Sequence, residues 1–381
     1  MDNIQMCSKC IYDANISGIS FNMDGVCNYC IQVEELKQQY GTGDARGIKA
    51  LNDLIVSIKM SGKGKKYDCI VGVSGGTDSS FLLAQAIEWG LRPLAVHYDN
   101  TWNSAIATEN IRKVTSKLKV DLFTHVIDNK EADDIFRSFL FASVPEFDAS
   151  TDLGFAQVIR HTAAKYGVKY ILEGHSFVAE GITPMGKNYF DGKYIQDIHS
   201  RFGKVKMKTY PLMTFYQFMK WLLIYKQKFI RPLWYIDYSK EDAKKYLKER
   251  FDWSDYNGHH LENRSSAFVH LVYHPQKFNM DNRNWTLSAR VRFGALNKED
   301  ALREYHSPIE ESDELVLYVK KRLNLSDEEY NSYMNAPNKK FTDYKTYKGR
   351  FEKLEPLFRI LATQNLVPMS FYLKYCFPLP A

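Results

Sequence analysis

A short stretch rich in glycine and hydroxyl residues has the composition needed to bind an anion. It reads Ser74-Gly75-Gly76-Thr77-Asp78-Ser79 and follows directly on the apolar, β-prone run Ile70 to Val73. Because glycine lacks a Cβ, the backbone can turn sharply there and its N–H groups can face one centre. The helix-like sequence that follows adds unpaired N–H groups and the positive end of a helix dipole. The stretch therefore predicts a phosphate or pyrophosphate site, with further donors in the hydroxyls of Ser74, Thr77 and Ser79.

The order of residues excludes two common phosphate loops. No Gly-Lys-Ser/Thr follows the glycines, so this is not a Walker A loop, and the G-x-G-x-x-G fingerprint of dinucleotide sites is absent. The string Ser-Gly-Gly-x-Asp-Ser resembles the PP-loop of the ATP pyrophosphatases, which cleave ATP between its α- and β-phosphates and adenylate a carbonyl oxygen. The alternative is a turn that only joins a buried strand to its covering helix, and the match of both string and context disfavours it.

Four of the six cysteines form a second candidate site, for a metal ion. They occur as two close pairs, Cys7-x-x-Cys10 and Cys27-x-x-Cys30. Two such pairs in a short segment predict a tetrahedral zinc site made of four thiolates. Since all four ligands come from the protein, no position is left open for a substrate, and a structural role is favoured. An iron–sulfur cluster uses a similar set of thiolates and remains an alternative.

The sequence from residue 67 to 174 alternates between strand and helix patterns. Predicted strands cover 69–73, 94–98, 122–127 and 170–173, and predicted helices cover 79–90, 105–118, 132–141 and 155–166. Such alternation is typical of a parallel sheet with helices on both faces. Ligands of such sheets bind beyond the carboxyl ends of the strands. The glycine-rich stretch is therefore expected to share a crevice with Asp99 and with Gly174-His175.

The residues at these strand ends have candidate roles. Asp99 is expected to meet the ribose or the adenine edge of a nucleotide. Gly174 permits a close approach of the backbone, and His175 is a candidate contact for phosphate. For Asn100 and Thr101, capping of the next helix is an equally good interpretation.

The length of 381 residues suits two or three domains. We predict a zinc-binding segment (1–40), a helical linker (41–66), a nucleotide-binding domain (67–235) and a mainly helical domain for substrate or partner (236–381). The net charge of +6 is dispersed along the chain. It suits anionic substrates such as ATP or a sugar nucleotide, and no nucleic-acid partner is expected.

The chain is expected to work in the cytoplasm. Its first residues lack the basic and apolar regions of a signal peptide. The longest apolar stretch, residues 215–230, is too short and too charged to span a bilayer. In the cytoplasm the cysteines should be reduced or metal-bound.

Taken together, the chain resembles, nearly end to end, the N-acetyl sugar amidotransferases of the WbpG/PseA type within the PP-loop superfamily. The four-cysteine segment is similar to that family's N-terminal zinc segment, and Val73–Ser79 is similar to its PP-loop. Three later blocks are also similar: Trp253…Tyr256-x-Gly258-x-His260-x-Glu262, Pro275-x-Lys277-Phe278-x-x-Asp281-x-Arg283 and Lys298-Glu299-Asp300-Ala301-Leu302. The chain departs from the family pattern at residues 173–176 and 287–294, which concerns the identity of the sugar more than the ATP chemistry.

The resemblance implies a reaction and a set of site residues. An acetamido group on a bacterial surface sugar (an O-antigen or nonulosonic-acid precursor) becomes an acetamidino group. The amide oxygen attacks the α-phosphate of ATP, with Mg²⁺ on the phosphates, and ammonia then displaces AMP. Catalysis would involve Ser74, Asp78 and Ser79. The nucleotide would also contact Gly75, Gly76, Thr77, Asp99, Gly174 and His175, and the sugar would contact His260, Glu262, Lys277, Arg283 and Arg290.

The ammonia is expected from a separate partner. A fused N-terminal-nucleophile glutaminase would need Cys after the initiator Met, and residue 2 is Asp. A Gly-x-Cys-x-Gly nucleophile turn is absent as well. The resemblance implies a HisH-like glutaminase subunit together with a HisF-like ammonia-channel subunit.

Two other functions remain open. One is a PP-loop enzyme that modifies tRNA, of the thiolase or lysidine synthetase type, which would need a strong basic stripe. The other is a non-enzymatic zinc-ribbon binding protein with a decayed nucleotide fold, which the intact Ser74–Ser79 string disfavours.

Overall fold

The architecture is that of a computed structural model, which describes residues 4–182, 189–256, 262–309, 313–364 and 366–378. One parallel sheet of five strands lies at its centre, in the order β3-β2-β1-β4-β5. The strands are β1 (Cys69–Gly72), β2 (Pro93–Asp99), β3 (Leu122–Val126), β4 (Tyr170–Leu172) and β5 (Lys228–Ile230). The predicted parallel sheet is confirmed, and β1 lies in its middle.

The middle strands form because they are continuous apolar runs. Parallel strands covered on both faces cannot alternate between apolar and polar residues. In β1 the residues Ile70 and Val71 are fully buried, and Cys69 is in register with Pro93 of β2 and with Tyr170 of β4. The order places the carboxyl end of β1 between those of β2 and β4.

The described residues up to Phe251 form nine α-helices. They are α1 (Asn28–Tyr40), α2 (Ala45–Ser61), α3 (Thr77–Glu88), α4 (Ala105–Leu118), α5 (Asn129–Ala142), α6 (Ala149–Lys165), α7 (Gly192–Phe202), α8 (Phe215–Leu223) and α9 (Lys240–Phe251). The apolar cores on the two sides of the sheet are separate clusters. Helices therefore cover both faces, as predicted.

The part of the chain after α9 is mainly helical, as predicted. Its helices are α10 (Arg264–Phe268), α11 (His274–Phe278), α12 (Arg283–Arg292), α13 (Lys298–His306), α14 (Asp313–Leu323), α15 (Asp327–Asn335), α16 (Lys348–Lys353), α17 (Glu355–Thr363) and α18 (Met369–Tyr375). A π-helical turn, Val269–Tyr273, joins α10 to α11. Among the described residues, none of the helices is long and apolar enough to cross a membrane.

Two elements differ from the sequence-based expectation. The helix predicted over 155–166 begins at Ala149. Ser150 and Thr151 are weak helix formers, but the Tyr210 hydroxyl donates to the Ser150 carbonyl and Asn100 Nδ2 donates to Thr151 Oγ1, and these bonds hold the first turn. The strand β5, at the end of the apolar stretch 215–230, is absent from the predicted strands. Three residues are too few to produce a recognisable strand period.

The predicted boundary at residue 235 stays a prediction. The largest apolar core contains residues from both sides of it, among them Phe136 and Phe147 before it and Phe268 and Tyr273 after it. The packing of the sheet and of the C-terminal helices is therefore continuous.

An arginine of α14 joins the C-terminal helices to the end of β2. Arg322 donates to the Thr101 carbonyl and to the Thr101 hydroxyl, each at 2.6 Å, and to Asp133 at 2.8 Å. Its guanidinium also lies 4.2 Å from the ring centre of Trp102. Thr101 has a φ of 68°, a conformation that β-branched residues rarely adopt. These contacts hold the chain in that conformation where it leaves β2.

We expect the substitution Arg322→Met to lower the free energy of unfolding by about 2–3 kcal/mol, because it removes charge-assisted hydrogen bonds from a half-buried site. Urea unfolding measures the change. The matched control is Arg112→Met on α4, where the arginine is exposed and pairs with Glu109 three residues away, and no measurable change is expected. Equal unfolding midpoints for the two variants would contradict the role given to Arg322.

Candidate functional site

The glycine-rich loop between β1 and α3 is shaped by close backbone packing. Gly75 has a φ of +82°, and a Cβ there would lie 2.2 Å from the carbonyl oxygen of Ala107. No residue other than glycine fits this position. The Gly75 carbonyl accepts hydrogen bonds from Trp253 Nε1 at 3.0 Å and from Asn110 Nδ2 at 3.2 Å. The loop is thereby fixed from two sides.

The hydroxyls of the loop face one another at the start of α3. Ser74 Oγ and Ser79 Oγ are 3.3 Å apart, and the Gly76 N–H donates to Ser74 Oγ at 3.3 Å. The helix begins after Gly76, with no side chain capping its first turn. Uncapped N–H groups at a helix start, together with the helix dipole, are the elements of an anion site. The predicted phosphate-binding residues are therefore brought together, and their role in binding a nucleotide stays a prediction.

Asp78 lies in a group of charged side chains beside the loop. Its Oδ1 accepts a hydrogen bond from the Tyr238 hydroxyl, and its Oδ2 lies 3.0 Å from Lys240 Nζ. Burial disfavours the charged carboxylate, but Lys240 and Tyr238 outweigh it and hold the pKa of Asp78 below its ordinary value. Glu180 is a further hydrogen-bond partner of Asp78. Burial lowers the pKa of Lys240, but Asp78 and Glu180 outweigh it and raise that pKa, so the ammonium group of Lys240 is the cation that both carboxylates face.

The end of β2 also carries polar side chains next to the loop. The His97 ring donates from Nδ1 to the Val73 carbonyl at 2.9 Å and accepts at Nε2 from Asn103 Nδ2 at 3.1 Å. Burial lowers the pKa of His97, so the ring is neutral and joins β2 to the loop. Asp99 Oδ1 accepts from the Thr101 N–H at 2.7 Å and from Asn103 at 3.1 Å. The structure places Asp99 at this strand end, and its predicted contact with the nucleotide stays a prediction.

The end of β4 touches the start of α3 directly. A Cβ on Gly174 would lie 2.9 Å from the carbonyl carbon and oxygen of Asp78. Because Gly174 has no side chain, the end of β4 can pack directly against the backbone of α3. His175 accepts from Trp234 Nε1 at 3.3 Å, and its Nε2 lies 3.6 Å from Glu180. His175 thus lies in the charged group beside the loop.

The segment that follows α9 lies over the loop. A Cβ on Gly76 would lie 3.1 Å from the Tyr256 hydroxyl and 3.4 Å from Glu262 Oε1. Glu262 is therefore the predicted substrate residue that the structure brings next to the loop. His260 lies outside the described residues.

Three other predicted substrate residues have structural partners elsewhere. Lys277 Nζ donates to the carbonyls of Tyr333, Met334 and Ala336 at the end of α15. Arg283 pairs with Asp281 and donates to carbonyls at the end of α13. Arg290 lies 3.5 Å from Glu304. Cations at helix carboxyl ends stabilise the helix dipole, and this explains Lys277 and Arg283 without a substrate.

Sequence reasoning missed several residues of the site. Tyr238 and Lys240 flank Ser239, the N-cap of α9, and their sequence context indicates only a helix start. Asn110 and Trp253 hold the loop but lie far from it along the chain. Trp253 opens one of the blocks that resemble the WbpG/PseA-type family, but the sequence alone predicts no role for it. The contacts of both residues arise from tertiary packing, for which the single sequence carries no signal.

The four cysteines of the N-terminal segment form a compact cluster. The Sγ atoms of Cys7 and Cys30 are 3.8 Å apart, and those of Cys10 and Cys27 are 3.9 Å apart. All four sulfurs lie within 4.8 Å of one another. Four thiolates at 2.3 Å from one tetrahedral zinc ion would be separated by about 3.8 Å. The sulfurs therefore fit a single zinc ion, whereas an iron–sulfur cluster would need room for several iron and sulfide ions.

Backbone and side-chain donors surround the cluster. The N–H groups of Lys9 and Cys27 donate to Cys7 Sγ at 3.3 and 3.2 Å, and Arg292 Nε donates to Cys30 Sγ at 3.2 Å. Donors that point at sulfur stabilise the thiolate form, which binds metal ions.

The cysteine cluster generates a direct test. The purified chain should contain one zinc ion per chain by elemental analysis, and Cys27→Ser should lose most of it, because three thiolates hold zinc less strongly than four. The control is Cys376→Ser, which removes a buried thiol far along the chain from the cluster and should leave the zinc content unchanged. Iron with sulfide, or full zinc in the Cys27→Ser variant, would contradict this assignment.

A second test concerns the packing of β4 against α3. Gly174→Ala should lower the free energy of unfolding by about 1–3 kcal/mol, since the added methyl group meets backbone atoms that cannot move aside cheaply. The control is Gly349→Ala in α16, where a Cβ has no neighbour within 4 Å. Thermal or urea unfolding compares the two, and an unchanged Gly174→Ala variant would show that the gap between β4 and α3 is not tight.

Comparison with known proteins finds one family match and one related protein. Residues 262–357 match the family described as "LPS biosynthesis protein WbpG-like, C-terminal domain". An uncharacterized protein of Methanocaldococcus jannaschii, MJ1599, is 26% identical over 308 residues, which cover 79% of this chain and 93% of that protein.

Two solved structures overlap with most of the chain at low scores. The NMN synthetase from Francisella tularensis has 12% identity and a TM-score of 0.33, covering 78% of this chain and 95% of that one. The NH3-dependent NAD synthetase from Campylobacter jejuni, in complex with the nitrate ion, has 11% identity and a TM-score of 0.34, covering 81% and 98%. The family match is the more specific finding, and it begins at Glu262, beside the loop. Residues 262–357 thus belong to the WbpG-like C-terminal domain family, which confirms the resemblance to WbpG-type proteins found in the sequence.

Proposed function

We propose that this chain is an ATP-dependent carbon–nitrogen ligase that converts the acetamido group of a bacterial surface sugar, or of its nucleotide-linked form, to an acetamidino group. One observation carries the proposal. The Ser74–Ser79 loop, at the carboxyl edge of a parallel sheet, is in contact with Glu262, the first residue of the WbpG-like domain. An anion loop and a sugar-modifying domain thereby form one site.

The loop supplies electrostatic stabilisation. The uncapped N–H groups at the start of α3 would hold the β- and γ-phosphates that leave together as pyrophosphate. The hydroxyls of Ser74 and Ser79 lie at the same helix start and would donate to the same oxygens. Attack of the amide oxygen on the α-phosphate forms one P–O bond and breaks the bond to pyrophosphate.

The charged group beside the loop fits Mg²⁺. Carboxylate oxygens are the side-chain ligands that Mg²⁺ prefers, and Asp78 and Glu180 are two carboxylates beside the loop that interact with each other and with Lys240. We assign Mg²⁺ to these two residues. The ion would neutralise charge on the phosphates during the attack.

Adenylation of the amide oxygen makes the amide carbon reactive towards ammonia. An amide is a poor electrophile, and AMP is a far better leaving group than oxide. Ammonia would add to the carbon of the adenylated amide, and the departure of AMP would carry away the original oxygen. The described residues offer no clear general base for the ammonia step, and we assign none.

Ammonia would come from a separate glutaminase, HisH-like, through a HisF-like channel subunit. The sequence contains no Gly-x-Cys-x-Gly nucleophile turn of a glutaminase. We place the reaction in the cytoplasm, where thiolates stay reduced, and we assign zinc to the cysteine cluster as a structural ion.

Lys240 is the cation closest to Asp78 and should contribute to nucleotide binding. We expect Lys240→Met to weaken ATP binding by about ten-fold or more, because charge-assisted hydrogen bonds contribute about 1.5–3 kcal/mol. Calorimetric titration with a non-hydrolysable ATP analogue measures the effect. Lys245→Met removes an exposed lysine of the same helix and should change nothing, and equal affinities for the two variants would contradict the role of Lys240.

The function itself is tested by product analysis. The chain is incubated with ATP, Mg²⁺, ammonium and a panel of diacetamido sugars, free and nucleotide-linked. AMP and pyrophosphate should form only with a matching sugar, whose mass should decrease slightly as oxygen is replaced by NH. ADP and phosphate as products would contradict the loop assignment. AMP formation that depends on tRNA and not on sugar would favour the tRNA-modifying class.

The nitrogen source is tested in the same assay. Glutamine in place of ammonium should support little turnover by the chain alone and full turnover after addition of the glutaminase subunit. Robust glutamine-dependent turnover by the purified chain alone would contradict a separate partner.

A further inference from the structure

Arg292, at the end of α12, contacts the cysteine cluster and a second segment at the same time. Its Nε donates to Cys30 Sγ at 3.2 Å, and its Nη2 lies 3.9 Å from Cys10 Sγ. The guanidinium also lies 5.1 Å from the ring centre of Tyr12. Four thiolates with one zinc ion carry two net negative charges, so a cation at this place is strongly held.

The other side of the same guanidinium faces residues 181 and 182. A Cβ on Gly181 would lie 3.3 Å from Arg292 Nη1 and 3.3 Å from the Trp285 carbonyl oxygen. The Tyr12 hydroxyl donates to the Ile182 carbonyl at 3.4 Å. The cysteine segment and α12 therefore pack against these two residues from two directions, with the buried Arg292 Nη1 beside Gly181 but not hydrogen-bonded.

Glu180, the residue before Gly181, reaches the nucleotide loop. The Glu180 N–H donates to the Ser176 carbonyl at 2.9 Å, and the Gly181 N–H donates to the Phe177 carbonyl at 3.1 Å. These bonds form one helical turn, so a displacement at Gly181 moves Glu180 as well. The Glu180 carboxylate lies 3.6 Å from His175 Nε2 at the end of β4, and it interacts with the charged group formed by Asp78 and Lys240.

We propose that Arg292 is a positioning residue for the nucleotide site: by joining the thiolate cluster to Gly181, it sets the place of Glu180 relative to Asp78. This rests on the proposed function, in which Asp78 and Glu180 hold the Mg²⁺ of ATP. The cysteine segment then helps to position the ATP site, although no cysteine among the described residues contacts the nucleotide loop.

The test measures whether Arg292, beside the cysteine cluster, affects nucleotide binding through Glu180, beside the nucleotide loop. Arg292→Lys, Glu180→Gln and the double variant are made in the full chain. Calorimetry gives the affinity for a non-hydrolysable ATP analogue with and without Mg²⁺, and elemental analysis gives the zinc content. Arg303→Lys, at an exposed arginine of α13, is the matched control and should bind like the unmodified chain.

The proposal predicts that Arg292→Lys keeps its zinc and loses about five-fold of the affinity that Mg²⁺ adds. In the Glu180→Gln background the same change should have no further effect, because the residue through which Arg292 acts is already altered. Additive effects of the two substitutions would overturn the proposal, and so would unchanged Mg²⁺-dependent affinity in Arg292→Lys.

A second variant covers the case in which Arg292→Lys releases zinc. Gly181→Ala leaves the cysteines and Arg292 in place but strains the backbone at a φ of +78°. It should keep zinc and lose the same Mg²⁺-dependent affinity, and an unchanged affinity would overturn the proposal. If the unmodified chain binds no ATP analogue at all, the proposed function fails and this inference fails with it.

Discussion

The candidate site depends on backbone atoms meeting at two places where no side chain fits. Gly75 lies against Ala107 at the start of α4, and Gly174 lies against Asp78 at the start of α3. These contacts bring the ends of β1 and β4 and two helix starts within a few ångströms of one another. The first turn of α3, to which Gly76 gives no side-chain cap, thereby lies at the carboxyl edge of the sheet beside Tyr256. The N–H groups and the dipole of a helix start favour an anion. The anion site is thus a result of packing, and the hydroxyl side chains add to it.

The C-terminal region completes this site rather than forming a separate one. Trp253 donates to the Gly75 carbonyl, and Glu262 lies beside Gly76, so residues shortly before and at the start of the WbpG-like domain contact the loop. On its far side the same domain holds the cysteine segment, where Lys298 donates to the Cys7 carbonyl at 2.6 Å. A domain that contacts both the loop and the metal segment explains how three parts of one chain can serve one reaction.

The features with local sequence signals could be predicted, and those that arise from tertiary contact could not. The loop, the parallel sheet and the two cysteine pairs follow from short strings and from strand–helix alternation. The short strand β5 and the first turn of α6 carry weak local signals, because their contacts with neighbouring elements determine whether these residues form a strand or a helix. Tyr238 lies 160 residues from Asp78 along the chain, with Lys240 two residues further on, and only the fold brings them together. Lys277 and Arg283 carry a charge suited to a substrate, but the structure pairs them with helix ends.

The central claim is that the oxygen of an amide attacks the α-phosphate of ATP. The most direct measurement uses a sugar whose acetamido carbonyl is labelled with oxygen-18, incubated with ATP, Mg²⁺ and ammonium. Mass spectrometry then locates the label. We expect oxygen-18 in AMP, and no oxygen-18 in pyrophosphate or in the acetamidino sugar. Unlabelled AMP, or a product sugar that keeps the label, would contradict the account.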